Sequence, residues 1–136
     1  MNLDRALMVS AAGMSTQTAR LRIVAENIAN RDSTGVSPDQ DPYRRRTITF
    51  AQQLDRRTGV QLPVVRRVGT DPGEFPLQFE PSHPAANADG YVRKPNVTSL
   101  IEVNDMREAQ RSYNANLAVM ETTRAMLMRA IEAMRS

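Results

Sequence analysis

The chain has 136 residues, the size of one ordinary domain, with a formal net charge of +3. Its aromatic content of three Tyr, three Phe and no Trp excludes a thick globular core, and the absence of cysteine excludes disulfides and thiolate metal sites. Of the 18 basic residues only Lys94 is lysine, and no apolar stretch approaches the roughly 20 residues needed to span a bilayer.

At the start of the chain Leu7, Met14, Leu21 and Ile28 recur every seven residues. A seven-residue apolar period makes a helix seek a partner helix along one narrow seam. Residues 3–30 are therefore predicted helical, with Asn2 as N-cap and Asp4 in the first turn, where its charge suits the helix dipole. The second seam position is more polar: Leu3, Ser10, Gln17, Val24. Gly13 inside this helix costs about 1 kcal/mol relative to Ala, which close approach of a neighbouring backbone would explain. Arg5 and the run Ala6 to Met14 have the order of a short signal peptide, but Asp4 offsets the positive start. The heptad also runs straight through the supposed cleavage point to Ile28, so the stretch reads as mature helix.

Turn formers from Asn30 to Gly35, ahead of Pro38 and Pro42, end the helix. Residues 43–50 alternate as one strand, with Arg46, Ile48 and Phe50 opposite Arg45, Thr47 and Thr49. Residues 60–68 and 75–80 are further short strands, which Pro63 and Pro76 confine to sheet edges or strand starts. Residues 81–98 hold three prolines, an Asp89-Gly90 turn and little apolar content, and read as an extended tie outside any core.

Ser99 and Glu102 then have capping-box spacing. Met106, Tyr113, Met120, Leu127 and Met134 form the second heptad stripe, with Val103, Gln110, Leu117, Arg124 and Ile131 at the other seam position. No proline or glycine interrupts residues 100–135. The fold class expected is mainly α: long N- and C-terminal helices pairing as a coiled coil, a small β-rich insert and an extended linking segment. The boundaries are 1–35, 36–80, 81–98 and 99–136.

Little of this composition suits a reaction. His83 is the sole histidine, has Ser82 and prolines as neighbours, and lacks a second His or Cys for a metal. Asn87-x-Asp89-Gly90 opens like a calcium loop, but Thr98 stands where the twelfth-position Glu belongs, so it reads as a turn. Asp105 and Glu108 fit a solvated helical face with arginine neighbours. No phosphate loop, nucleophile elbow or zinc spacing occurs, so neither an enzyme nor a cofactor is expected.

Seven arginines (44, 45, 46, 56, 57, 66, 67) against Asp55 alone make the insert the one serious rival site. Such a cluster can neutralise phosphates, and a basic coiled-coil protein binding nucleic acid is the alternative function. Tyr43 and Phe50 are too few for base stacking, which weighs against it. Asn27, Asn30, Asn114 and Asn116 interrupt helical surfaces. Asn30 reads as a C-cap, and the others face solvent or act as buried amides that set register.

Several of these segments match a known pattern. Ser10-Ala11-Ala12, Thr16 to Leu21 and Ala25-Glu26-Asn27-Ile28-Ala29-Asn30 resemble the opening helix of the bacterial flagellar rod, hook and filament axial proteins. Arg111-Ser112-Tyr113-Asn114-Ala115-Asn116 resembles the family's second signature, on its C-terminal helix. Pro84 to Val92 and Pro95-Asn96-Val97 resemble the linking segment of a proximal-rod member. The resemblance implies a subunit of the periplasm-spanning basal-body rod, exported through the flagellar type III apparatus without a cleaved signal. The implied partners are other copies and other rod proteins, with no small-molecule substrate, no nucleic acid and no membrane span. The implied assembly is a hollow, torque-transmitting shaft of paired terminal helices. Its interface would comprise the two stripes together with Val24, Asn27, Asn30, Asn114, Asn116, Leu117 and Ile131.

Overall fold

The computed structural model describes residues 2–136. Six elements follow in chain order: α1 (Leu3–Ala29), β1 (Arg46–Asp55), β2 (Val60–Thr70), β3 (Leu77–Phe79), β4 (Tyr91–Arg93) and α2 (Ser99–Arg135). Two long helices thus enclose a small β insert, as the two stripes predicted. At 1.5 Å per residue α1 extends about 40 Å and α2 about 55 Å.

The ends of α1 follow from its sequence. Asn2 Oδ1 accepts the backbone N–H of Arg5 at 3.1 Å, the N-cap bond expected of that residue. At the other end Asn30 Nδ2 donates to the Glu26 carbonyl at 2.9 Å, and Asn30 Oδ1 accepts from the Ser33 hydroxyl. Asn30 is the C-cap.

The start of α2 differs from expectation. The Thr98 carbonyl accepts the N–H of Glu102, so Thr98, one residue earlier than predicted, begins the helical ladder. The Glu102 carboxylate does not turn back on Ser99. It is fully buried and bonded to Arg45 and Asn27, because two side-chain partners, one of them a cation, outweigh one local cap.

β1 and β2 form a two-stranded sheet joined by a four-residue turn, a connection that only antiparallel strands can use. The first strand starts and ends later than its alternation predicted. Tyr43, Arg44 and Arg45 lie before it, and Ala51 to Asp55 extend it although AQQLD alternates poorly. Pairing with β2 supplies what the local pattern lacks. Pro63 is tolerated inside β2 because each strand of a two-stranded sheet is an edge.

β3 and β4 form a second antiparallel ribbon, with Leu77 opposite Arg93, Gln78 opposite Val92 and Phe79 opposite Tyr91. β4 and the burial around it correct the extended-tie expectation. Val92 is completely buried and Ala85 nearly so, which anchors part of residues 81–98 in a core while most of the segment stays at the surface. Three residues are too short a run for periodicity to register.

The chain divides into two compact units, and both helices and the long hairpin pass through both. One unit comprises the chain up to Leu21, Thr49–Arg67 and Arg107–Ser136. Within it the helices run in opposite directions, since Gly13 faces Asn116 and Arg20 reaches Glu108. The other comprises Arg22–Ile48 and Val68–Met106. Its buried apolar residues include Ile23, Val24, Ala85 and Val92.

Candidate functional site

The second unit is organised around a polar cluster. Asn27, from the last two turns of α1, is 1% exposed. Its Nδ2 donates to the Arg46 carbonyl at 2.9 Å and to Glu102 Oε2 at 3.3 Å. Its Oδ1 accepts from the Tyr43 hydroxyl at 2.7 Å and from the Arg46 N–H at 2.9 Å. Both donors and both acceptors of one side-chain amide are therefore used. A residue so fully bonded joins α1, the entry to β1 and the first turn of α2 in a single register.

Arg45 completes the cluster from the other side. Its Nε donates to Glu102 Oε1, while its Nη1 and Nη2 lie 3.5 Å from Asp71 and 3.4 Å from Asp105. The Arg45 N–H donates to Asn96 Oδ1 at 2.7 Å. Burial works against the Arg45 charge, but the Glu102 bond and then the charges of Glu102, Asp105 and Asp71 outweigh it and raise its pKa. Burial first, then the Glu26 charge, also push the Tyr43 phenol above its ordinary value, with Arg46 opposing and Glu102 adding. Arg46 pairs with Glu26 on α1. Arg44 donates to the Asp71 and Gly73 carbonyls, and its guanidinium sits 4.2 Å above the Phe75 ring.

The arginine run of the insert is thus two populations. Arg44, Arg45 and Arg46 are internal fasteners of the second unit. Arg56, Arg57, Arg66 and Arg67 are exposed in the hairpin portion of the first unit. The rival reading of one phosphate-binding patch loses its first three members, because Arg44, Arg45 and Arg46 bond carbonyls and carboxylates of their own unit.

In the first unit the helices meet through small and polar residues. Ser10, Gly13 and Thr16 on α1 are buried, as are Ala109 and Thr123 on α2. A Cβ on Gly13 would stand 2.8 Å from Asn116 Nδ2, so the close neighbour is a side chain rather than the backbone expected. Asn116 Nδ2 also donates to the Ser112 carbonyl at 2.9 Å.

The stripe residues flank this contact. Leu7, Met14, Leu21 and Ile28 are half-buried, and so are Met106, Tyr113, Leu117, Met120 and Leu127. Val24 is buried, whereas Ile131 and Met134 are exposed. Asn114 faces solvent, contrary to the buried-amide alternative, and Asn116 takes the close position instead. Glu102, Arg45 and Tyr43 are the members of the cluster that sequence reasoning did not place. Their one advance signal was a Glu at the start of a helix, which has a simpler local explanation.

His83 holds a loop. Its Nδ1 accepts the Ala85 N–H at 2.9 Å, and its Nε2 lies 3.2 Å from the Thr34 hydroxyl. Asn87 Oδ1 accepts the N–H groups of Asp89 and Tyr91, the turn that its sequence indicated. Among the described residues no group of His, Asp and Glu is placed to hold a metal ion. Nor is any helix of the described residues long and apolar enough to cross a membrane.

Buried polar fasteners thus join the helices to the insert in the second unit, and the apolar stripes are left half covered. A family model described as flagellar basal body rod FlgEFG protein C-terminal matches residues 88–133. The flagellar basal-body rod protein FlgC of Agrobacterium fabrum is 46% identical over 134 residues, covering 98% of this chain and 96% of its own. The FlgC proteins of Bacillus subtilis and Salmonella typhimurium are 35% and 34% identical, over 97% and 90% of this chain and 98% and 91% of theirs. The chain belongs to the FlgC family and is a structural protein of the flagellar basal-body rod. The resemblance carried by Asn27 to Asn30 and by Arg111 to Asn116 is borne out.

Proposed function

We propose that this subunit is exported through the flagellar type III apparatus without a cleaved signal and joins other copies and other rod proteins. In the rod, its α1 and α2 pair as a coiled coil and line a hollow, torque-transmitting shaft that spans the periplasm. The half-buried stripes, with Asn114 and Arg111 facing outward, supply the contacts between neighbours. The axial domain then comprises residues 1–35 and 99–136, with 36–80 as insert and 81–98 as link.

One observation carries this reading. Among the described residues six hydrophobic ones are buried, while sixteen large ones are exposed, including Val9, Leu100, Ile101, Val119 and Met128 along the helices. So many exposed apolar side chains on two helices support a surface that neighbouring subunits cover. A neighbouring helix is the partner that a seven-residue stripe fits.

Deletion of residues 120–136 tests the proposal. Cells making the shortened chain are expected to lose motility and to stop rod assembly beyond this subunit while still producing it. Normal motility would overturn the assembly role of α2.

A further inference from the structure

Two of the exposed apolar surfaces lie at the α2 end and on the β3–β4 ribbon. The first prolongs the α2 stripe. Leu127 is half-buried and shares a recess with Asn2, Leu3 and Asp4. The stripe then continues as Ile131 and Met134, 43% and 85% exposed. Arg124 and Arg135 fall beside it at helical spacing, exposed and without an ion pair among the described residues.

The second surface is the β3–β4 ribbon. Leu77 and Phe79 are each 61% exposed, and Tyr91 packs its ring edge-on against Phe79 with centroids 5.3 Å apart. Gly90, at φ +84°, leaves room for this: a Cβ there would stand 2.8 Å from Phe79 Cε2. Glu74 and Asp89, in the turns flanking the ribbon, make no ion pair among the described residues. Two of six aromatic residues are thus held together on an exposed face.

The units that carry the two surfaces are opposite in charge balance. The unit that carries the α2 end has eleven arginines against five acids, and the unit that carries the ribbon has seven basic residues against ten acids. We propose that the α2 end of one copy docks through Ile131 and Met134 on the Leu77–Phe79–Tyr91 face of a second copy. The Met134 thioether suits an aromatic ring, and Arg124 and Arg135 would meet Glu74 and Asp89. The occupant is a second copy because the docking stripe continues one whose Leu127 already lies beside this chain's own Leu3, and because the opposite charges reside on the same chain. Different patches meet, so the contact is heterologous and propagates into a ring or an open helical array rather than stopping at a pair. The proposal rests on the rod reading above.

The chain has no cysteine, so single cysteines report the contact directly. Cells making both Met134→Cys and Phe79→Cys variants in place of the natural chain are expected to yield basal bodies in which oxidation gives a dimer of this subunit. The pair Met134→Cys and Val119→Cys, both positions exposed, is expected to give several times less. Basal bodies that contain both variants but give no dimer, or equal dimer from the two pairs, overturn the docking and leave the rod role intact. Absence of the natural, cysteine-free chain from basal bodies would overturn the rod reading and the docking with it.

Discussion

Asn27 Nδ2 stands 3.3 Å from Glu102 Oε2, and both side chains are shut away from solvent. The two residues lie 75 positions apart, so one amide-to-carboxylate bond closes the second unit between the end of α1 and the start of α2. Asn27→Asp would replace the donor by a carboxylate facing a carboxylate. Urea unfolding is expected to show a loss of about 3–5 kcal/mol, the usual cost of an uncompensated buried charge. Adding Glu102→Gln should recover part of it, since the new amide can donate to Asp. No recovery in the double variant would mean that the Asn27–Glu102 bond is not what the first substitution breaks.

The division of the arginines makes a second prediction. Arg45→Gln removes the partner of a buried carboxylate and should cost about 3 kcal/mol. Arg66→Gln and Arg67→Gln, on exposed strand positions, should each stay within about 0.5 kcal/mol of the natural chain. Denaturant midpoints compared at equal slope decide between them. Equal effects at Arg45 and Arg66 would contradict the internal role of the first group.

Gly13 offers a test of helix proximity. In an open helix Gly13→Ala would stabilise by about 1 kcal/mol. Here the new methyl meets Asn116, whose amide must move and lose its Ser112 bond. Gly13→Ala alone is expected to be close to neutral, since a lost bond of about 1 kcal/mol offsets that gain, and to become stabilising in an Asn116→Ala background. The same effect in both backgrounds would show that the close approach is not the reason for the glycine.

Tyr43 predicts an alkaline limit. Its folded-state pKa is raised above the unfolded value near 10, so above that pH the unfolded chain releases the proton first. The folded state then holds more protons, and stability falls with rising pH. The contribution is fully present below about pH 10 and is lost as pH climbs through the folded pKa. Ultraviolet titration of the folded protein should show a phenol ionising later than free tyrosine, absent in Tyr43→Phe. The variant should also show a flatter loss of stability above pH 10. An unchanged titration curve in Tyr43→Phe would remove Tyr43 as the late-ionising group.

The local elements were readable because their causes are local. Asn2 caps α1 and Asn30 closes it with bonds spanning three or four residues. The Asn87 turn is likewise complete within four residues. β4 was not readable, since Tyr91, Val92 and Arg93 become a strand only by pairing with Leu77 to Phe79. The polar end of β1 was hidden for the same reason.

Sequence alone determined the two helices, their stripes, the caps, the turns and the family signatures, all of which depend on short spacing or on residue identity. Tertiary structure decided which members of a pattern are fasteners and which are surface. Asn27 and Asn114 look alike in the chain, yet one is buried and makes four hydrogen bonds to three distant residues while the other faces solvent. Arg45 and Arg66 belong to one basic run, yet only Arg45 meets a buried carboxylate. The physical reason is common to both cases: burial and hydrogen-bond satisfaction are properties of partners far away in sequence, which spacing along the chain does not encode.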